Sequence, residues 1–304
     1  MRGIPRRIGE RNMKLEGVFT ALVTPMAPDG AVEEKALRRL VDMQVEAGVA
    51  GLVPVGTTGE SPTLDGDECR QVIRIVVEQA RGRVPVIAGA GSNSTAEAIH
   101  YARDAREVGA NATLQVAPYY NKPTSQGFLG HFRAIADAVD LPLVVYNIAS
   151  RTGKNIDNVT MLELADHRNI TAVKEASGDI GQVMELIAKK PAGFSVLSGD
   201  DNLVFPIMAL GGTGVISVAS NLVPGPMVSF VAAALKGDWN AARRMHYELL
   251  PLFKALFIET NPIPIKAAMA MKGLIVESYR LPMCPMAPKN RDQLQAALRE
   301  LKIL

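Results

Sequence analysis

The chain has 304 residues, 48% of them hydrophobic, enough to bury one large core or two modest ones. Charged residues make up 21% and the net charge is +2, which gives no electrostatic reason to expect nucleic acid or an anionic membrane as partner. Two cysteines, Cys69 and Cys284, lie far apart and form neither a disulfide framework nor a metal-ligand spacing, so a reducing, cytoplasmic setting is the default.

In chain order, the first segment is basic through Arg2, Arg6, Arg7 and Arg11 and lacks the apolar middle of a secretion signal. Residues 1–13 read as a disordered extension, or as sequence upstream of a true start at Met13. From there, short apolar runs alternate with longer amphipathic segments. The runs occupy 18–26, 49–56, 84–91, 112–119, 141–148, 170–176, 194–200 and 212–220. They are rich in β-branched residues and mostly lack strict polar alternation, as strands buried on both faces should. None is long enough to cross a membrane. Between the runs, Leu37, Leu40, Val41 and Gln44 fall at helical spacing, and Ser94-Thr95-Ala96-Glu97 has the form of a capping box.

Eight strands, each followed by a helix, predict an α/β chain folded as a (β/α)8 TIM barrel over 14–237. A doubly wound sheet would carry a Gly-rich phosphate loop after its first strand, and Thr24-Pro25-Met26-Ala27-Pro28 is not one. Residues 238–304 show only helical patterns, at 239–258, after Pro264 and at 292–301, and predict a small helical domain. Its stripe of Leu249, Leu252, Phe253, Leu256 and Phe257 requires cover from the barrel wall or from a partner subunit.

A barrel of this kind carries its chemistry at the C-terminal ends of its strands. Lys174 follows the apolar Ile170-Thr171-Ala172-Val173, where desolvation lowers an amine's pKa toward what imine formation with a carbonyl needs. The structural alternative is an ion pair with Glu175. Tyr146 ends the neighbouring strand and suits a proton shuttle. Thr57 and Thr58, between Gly56 and Gly59, either satisfy a turn or offer hydroxyls and backbone N–H groups to a small carboxylate. Arg151, just past Tyr146, fits a surface salt bridge or a fork onto a second carboxylate. No His cluster or Asp-rich pattern points to a metal, and no cofactor motif is present.

Six motifs in one order carry a resemblance: Gly56-Thr57-Thr58-Gly59-Glu60, Tyr119-Tyr120-Asn121-Lys122-Pro123, Tyr146-Asn147 with Ser150-Arg151-Thr152-Gly153, Val173-Lys174-Glu175-Ala176, Ser198-Gly199-Asp200-Asp201 and Asn261-Pro262-Ile263-Pro264. From about Met13 onward the chain resembles the dihydrodipicolinate synthase/N-acetylneuraminate lyase family. The resemblance implies that Lys174 forms an imine with pyruvate, and that Tyr146, Thr57 and Tyr120 form a proton relay, with Tyr120 supplied by a neighbouring subunit of a homotetramer. It implies that Thr58 and the Ile216 backbone hold pyruvate, that Arg151 holds the carboxylate of aspartate semialdehyde, and that Gly199 leaves room beside the substrate. The reaction implied is condensation of the two to 4-hydroxy-tetrahydrodipicolinate, the first committed step toward diaminopimelate and lysine.

Within the family, Thr57 and Arg151 favour this synthase branch over the neuraminate lyase branch, while Ala149 departs from the Pro or Gly of many synthases. In family members regulated by lysine, the effector positions match Ser61, Asn93, Glu97 and Tyr119. Gly66 and Cys69 stand where the regulated form has histidines, and Glu97 is equally the capping-box residue. Two further readings compete: another class I pyruvate aldolase acting on a sugar acid or hydroxy-oxoglutarate, and a non-catalytic binding protein on the same fold.

Overall fold

Alternation of apolar runs and amphipathic segments becomes eight short strands and the helices that follow them. The computed structural model describes residues 15–304, so the extension read at 1–13 lies outside the described residues. The strands are β1 (Gly17–Ala21), β2 (Gly51–Val53), β3 (Ile87–Gly89), β4 (Ala112–Val116), β5 (Leu143–Asn147), β6 (Ile170–Glu175), β7 (Ser195–Ser198) and β8 (Gly214–Ser217). They pair in the order β2-β1-β8-β7-β6-β5-β4-β3, all parallel. A parallel bridge between Leu52 and Val86, with Gly89 N–H donating to Pro54 O at 2.9 Å, brings the two ends together into the predicted barrel.

The apolar runs overshoot these strands at their C-terminal ends. Run 18–26, for example, covers a strand that ends at Ala21. The connecting segments turn back over the barrel mouth and stay buried, as Leu22, Val23, Met26 and Ala117 do, so they keep strand-like composition without a ladder. Alternate residues of each strand face inward. Phe19, Val53, Ile87, Leu114, Val144, Leu197 and Ile216 fill the lumen, while their neighbours pack outward under the helices.

The helix Glu34–Glu46 buries Leu37, Leu40, Val41 and Gln44, as their spacing predicts. At the helix Thr95–Glu107 only half of the expected capping box forms. Ser94 accepts from Glu97 N–H, but Ser92 takes the reciprocal bonds: its Oγ accepts from Ser94 N–H at 3.1 Å and donates to Glu97 Oε2 at 2.8 Å. A complete box forms instead between Asp65 and Glu68, at the start of the helix Gly66–Ala80.

After β8 the described residues form helices only, including Pro224–Leu235, Trp239–Ala255, Ile263–Met271 and Pro288–Glu300. The last begins ahead of the predicted 292–301 because Pro288, with its preset φ, occupies its first turn. Leu252, Phe253 and Leu256 pack with Phe230, Val231 and Ala234 in one core that continues into the barrel. The chain itself therefore covers most of the apolar stripe, as the barrel-wall alternative expects. Phe257 remains 46% exposed.

Candidate active site

The period of two along a strand decides which groups enter the lumen. On β6, Ala172 and Lys174 point inward with Ala176 beyond them, and on β5 Val144 and Tyr146 do the same with Ile148. Lys174 and Tyr146 are both 5% exposed and are direct register partners, with Lys174 Nζ 4.0 Å from the centre of the Tyr146 ring. Lys174 Nζ makes no hydrogen bond or ion pair with any described residue.

Burial pulls the amine's pKa down to about 8. The Asp200 and Asp201 carboxylates oppose that shift and the Arg151 guanidinium adds to it. Burial also drives the Tyr146 phenol well above its ordinary range; Asp200 adds to the rise, while Arg151 and a hydrogen bond with Thr57 oppose it. A neutral phenol therefore stands beside an amine that is partly free near neutral pH. Gly199, on the β7 loop, is required by this packing. A Cβ there would lie 2.8 Å from Ala176 Cβ and 3.2 Å from Lys174 Cε.

The alternative pairing of Lys174 with Glu175 does not occur, because consecutive strand residues face opposite sides. Glu175 points outward, accepting from Asn147 Nδ2 at 3.2 Å and from Ser177 N–H at 2.6 Å. Asn147 in turn accepts from Ile156 N–H at 3.1 Å and donates to Asn155 Oδ1 at 2.9 Å. This buried pair ties the segment carrying Arg151 to the ends of β5 and β6. The sequence reading did not foresee it, although Asn147 and Glu175 directly follow Tyr146 and Lys174.

The Gly56–Glu60 motif forms a tight loop after β2. Gly59 N–H donates to Gly56 O at 3.0 Å and Glu60 N–H to Thr57 O at 3.1 Å, while no hydrogen bond among the described residues uses the N–H groups of Thr57 and Thr58. Those two donors are free to meet an acceptor, which is what the carboxylate alternative requires. The Thr58 side chain is buried, and its Oγ1 accepts from Asn261 Nδ2 at 3.0 Å. Arg151 Nη2 donates to Asn261 O at 3.0 Å, so Asn261 touches both residues expected to hold carboxylates. Asn261 was noticed only as part of a motif. Ile216 lines the lumen from β8, paired with Phe19 of β1.

Tyr120 is not brought to this cluster within its own chain. It is 91% exposed with φ at 71°, on a loop that is pinned by Asn121 Nδ2 to Asn93 O at 2.8 Å and by Asn93 Nδ2 to Tyr119 O at 3.1 Å. Beside the mouth lies a cavity of ≈ 370 Å³ lined by Thr57, Ser61, Cys69, Glu97, Tyr119 and Arg151, among others. Lys174 and Tyr146 are not among its walls, and it meets the site at Thr57, Ile148 and Arg151. Of the four effector candidates, Ser61, Glu97 and Tyr119 line it. Asn93 instead braces Tyr119. Burial raises the Cys69 thiol to about 11, with Asp65 and Glu68 adding to the shift, so it stays protonated.

Residues 14–301 match the dihydrodipicolinate synthetase family. The chain is 53% identical over 293 residues to the 4-hydroxy-tetrahydrodipicolinate synthase of Koribacter versatilis (strain Ellin345), covering 96% of this chain and 98% of that one. Its fold is similar to the crystal structure of dihydrodipicolinate synthase from Aquifex aeolicus, with a TM-score of 0.93, 46% identity, and coverage of 95% of this chain and 98% of that one. It is also similar to the chloride-inhibited dihydrodipicolinate synthase from Acinetobacter baumannii complexed with pyruvate, with a TM-score of 0.94, 42% identity, and coverage of 96% and 100%.

Proposed function

The chain belongs to the dihydrodipicolinate synthetase family, and from that premise we propose how its own residues perform the reaction. The activity is condensation of pyruvate with aspartate semialdehyde to 4-hydroxy-tetrahydrodipicolinate, a lyase-type step in diaminopimelate and lysine biosynthesis.

The observation that carries the assignment of roles is the buried, unpaired Lys174 amine over the Tyr146 ring. The free amine adds to the pyruvate carbonyl carbon, and loss of water gives an imine. Its nitrogen then draws electrons as a methyl proton leaves, forming an enamine. The enamine attacks the aldehyde, and the product's own amine displaces Lys174 as the ring closes. Tyr146 moves protons between these centres, relayed through Thr57 and through Tyr120 of a neighbouring subunit. Thr58, through its hydroxyl and N–H, and the Ile216 backbone hold the pyruvate carboxylate. Arg151 holds the carboxylate of the aldehyde, and Gly199 keeps space beside the imine.

Borohydride reduction with pyruvate should leave an adduct on the peptide containing Lys174. An adduct on Lys122 or Lys266 instead would overturn the assignment.

The exposure and positive φ of Tyr120 support an assembled unit, a homotetramer in which the tight dimer completes each site. Mixing inactive Tyr120→Phe and Lys174→Ala subunits should restore part of the activity, and no recovery despite subunit exchange would return Tyr120 to its own chain. The cavity lined by Ser61, Glu97 and Tyr119 serves in this reading as a lysine effector site that lacks imidazoles, since Gly66 and Cys69 form that part of its wall. Full activity at saturating lysine would remove that role. A cytoplasmic location accords with the free thiols of Cys69 and Cys284. Among the described residues, no helix is long and apolar enough to cross a membrane.

A further inference from the structure

The loop that presents Thr57 and Thr58 is conformationally unusual at both ends. Val55 has φ at 57° and Glu60 has φ at 56°. For a β-branched residue the left-handed region is a true outlier, and such backbone persists only where the surroundings over-determine it. On the barrel side the loop presses against β3, where a Cβ on Gly89 would lie 2.0 Å from Val55 O. The Thr24 hydroxyl donates to Gly59 O at 2.7 Å. Further restraints come from beyond the barrel. Lys266, fully buried in the helix Ile263–Met271, forms an ion pair with the Glu60 carboxylate. The other Glu60 oxygen faces Arg280 N–H at 3.4 Å, and Asn261, just ahead of the same helix, donates to Thr58 Oγ1 at 3.0 Å.

We propose that Lys266 and Glu60 are positioning residues for pyruvate, with the Lys266–Glu60 pair locking the left-handed turn at Glu60 so that the Thr57 and Thr58 donors point at the carboxylate. The buried ammonium is a fixed point on a helix whose remaining residues are packed into the core, so it transmits the placement of the C-terminal helices to the loop. The Asn261 bond acts in the same direction. Because Thr58 Oγ1 accepts from Asn261, its own proton is left to donate to the substrate. The helical segment after the barrel is thus part of the pyruvate site without touching pyruvate.

This rests on the reading that Thr58 holds pyruvate, and Thr58→Val tests that reading separately through the pyruvate KM alone. The positioning role is tested in the full chain with Glu60→Gln, Lys266→Met and the double variant, each assayed well below its own melting temperature. The pyruvate KM should rise about tenfold in both single variants while the semialdehyde KM stays within about twofold. The double variant removes the buried charge altogether, so it should recover much of the lost melting temperature and keep the raised KM. A double variant with normal pyruvate KM would make the pair purely structural and overturn the proposal, whatever Thr58→Val does. A raised KM with Thr58→Val silent would keep the positioning role and transfer pyruvate binding to the loop's N–H groups.

Discussion

Two lysines are buried among the described residues, and they lead opposite lives. Lys174, 5% exposed, lies in β6 over the Tyr146 ring; Lys266 is wholly buried in a helix, its amine 5.3 Å from the centre of the Tyr279 ring. Both stand in apolar sequence, and burial disfavours the ammonium form of each. Lys266 has the Glu60 carboxylate in contact, which opposes the shift. Lys174 has no such partner; Asp200 and Asp201 act on it only as neighbouring charges. Burial therefore does not by itself make a nucleophile. The nucleophile's role proposed for Lys174 rests on its lack of a contacting counter-ion and its place at a strand's C-terminal end, and Lys266 shares neither.

Replacing each lysine by methionine, close in length and without charge, is the most direct way to break this comparison. Lys174→Met should lower kcat/KM by at least about a thousandfold, since no other described amine is placed for imine formation. Its melting temperature should hold or rise at neutral pH. Retained activity would remove Lys174 from the mechanism.

Lys266→Met should do the reverse. It leaves Glu60 buried and unpaired, at a cost of about 3–5 kcal/mol in unfolding free energy, yet at saturating pyruvate borohydride should still label Lys174. Urea unfolding followed by peptide mapping checks both. An unchanged unfolding midpoint would mean that the pair contributes nothing.

The smallest effect is a pH dependence confined to Lys174. With its pKa depressed to about 8, the free amine declines about tenfold per pH unit below that value. The kcat/KM for pyruvate should therefore climb with pH and level above about 8. The sign for stability follows from the same shift. The buried amine costs stability in full below about 8, and that cost fades as pH rises toward lysine's ordinary value of 10.5. The melting-temperature advantage of Lys174→Met should accordingly shrink at alkaline pH. A flat activity profile would mean that the resting amine is already unprotonated or that another step limits the rate.

The eight strands were legible because a buried parallel strand needs a continuous apolar run, and that is a local property of the chain. Their C-terminal limits were not, since Leu22, Val23 and Ala117 are equally apolar and are buried by folding over the barrel mouth rather than by pairing. The predicted capping box at Ser94 was half right, because the competing hydroxyl of Ser92 acts only once the loop has its shape. For the apolar stripe of the helix Trp239–Ala255, local pattern showed that cover was needed without showing that the chain supplies most of it.

The candidate site divides along the same line. Alternation along a strand is an intrinsic period of two, so the chain itself puts Lys174 and Glu175 on opposite faces, although the sequence reading leaves their pairing open. That Lys174 and Tyr146 share the lumen came with the register of β5 and β6. A lone lysine in the apolar segment Ile263-Pro264-Ile265-Lys266-Ala267-Ala268 also signalled, unread, that a buried partner must exist. Which partner it takes was decided by tertiary structure alone. Glu60 lies 206 residues from Lys266, and Thr58 lies 203 residues from Asn261. Contacts at such separations depend on where whole elements meet after the barrel closes, and no local propensity encodes that.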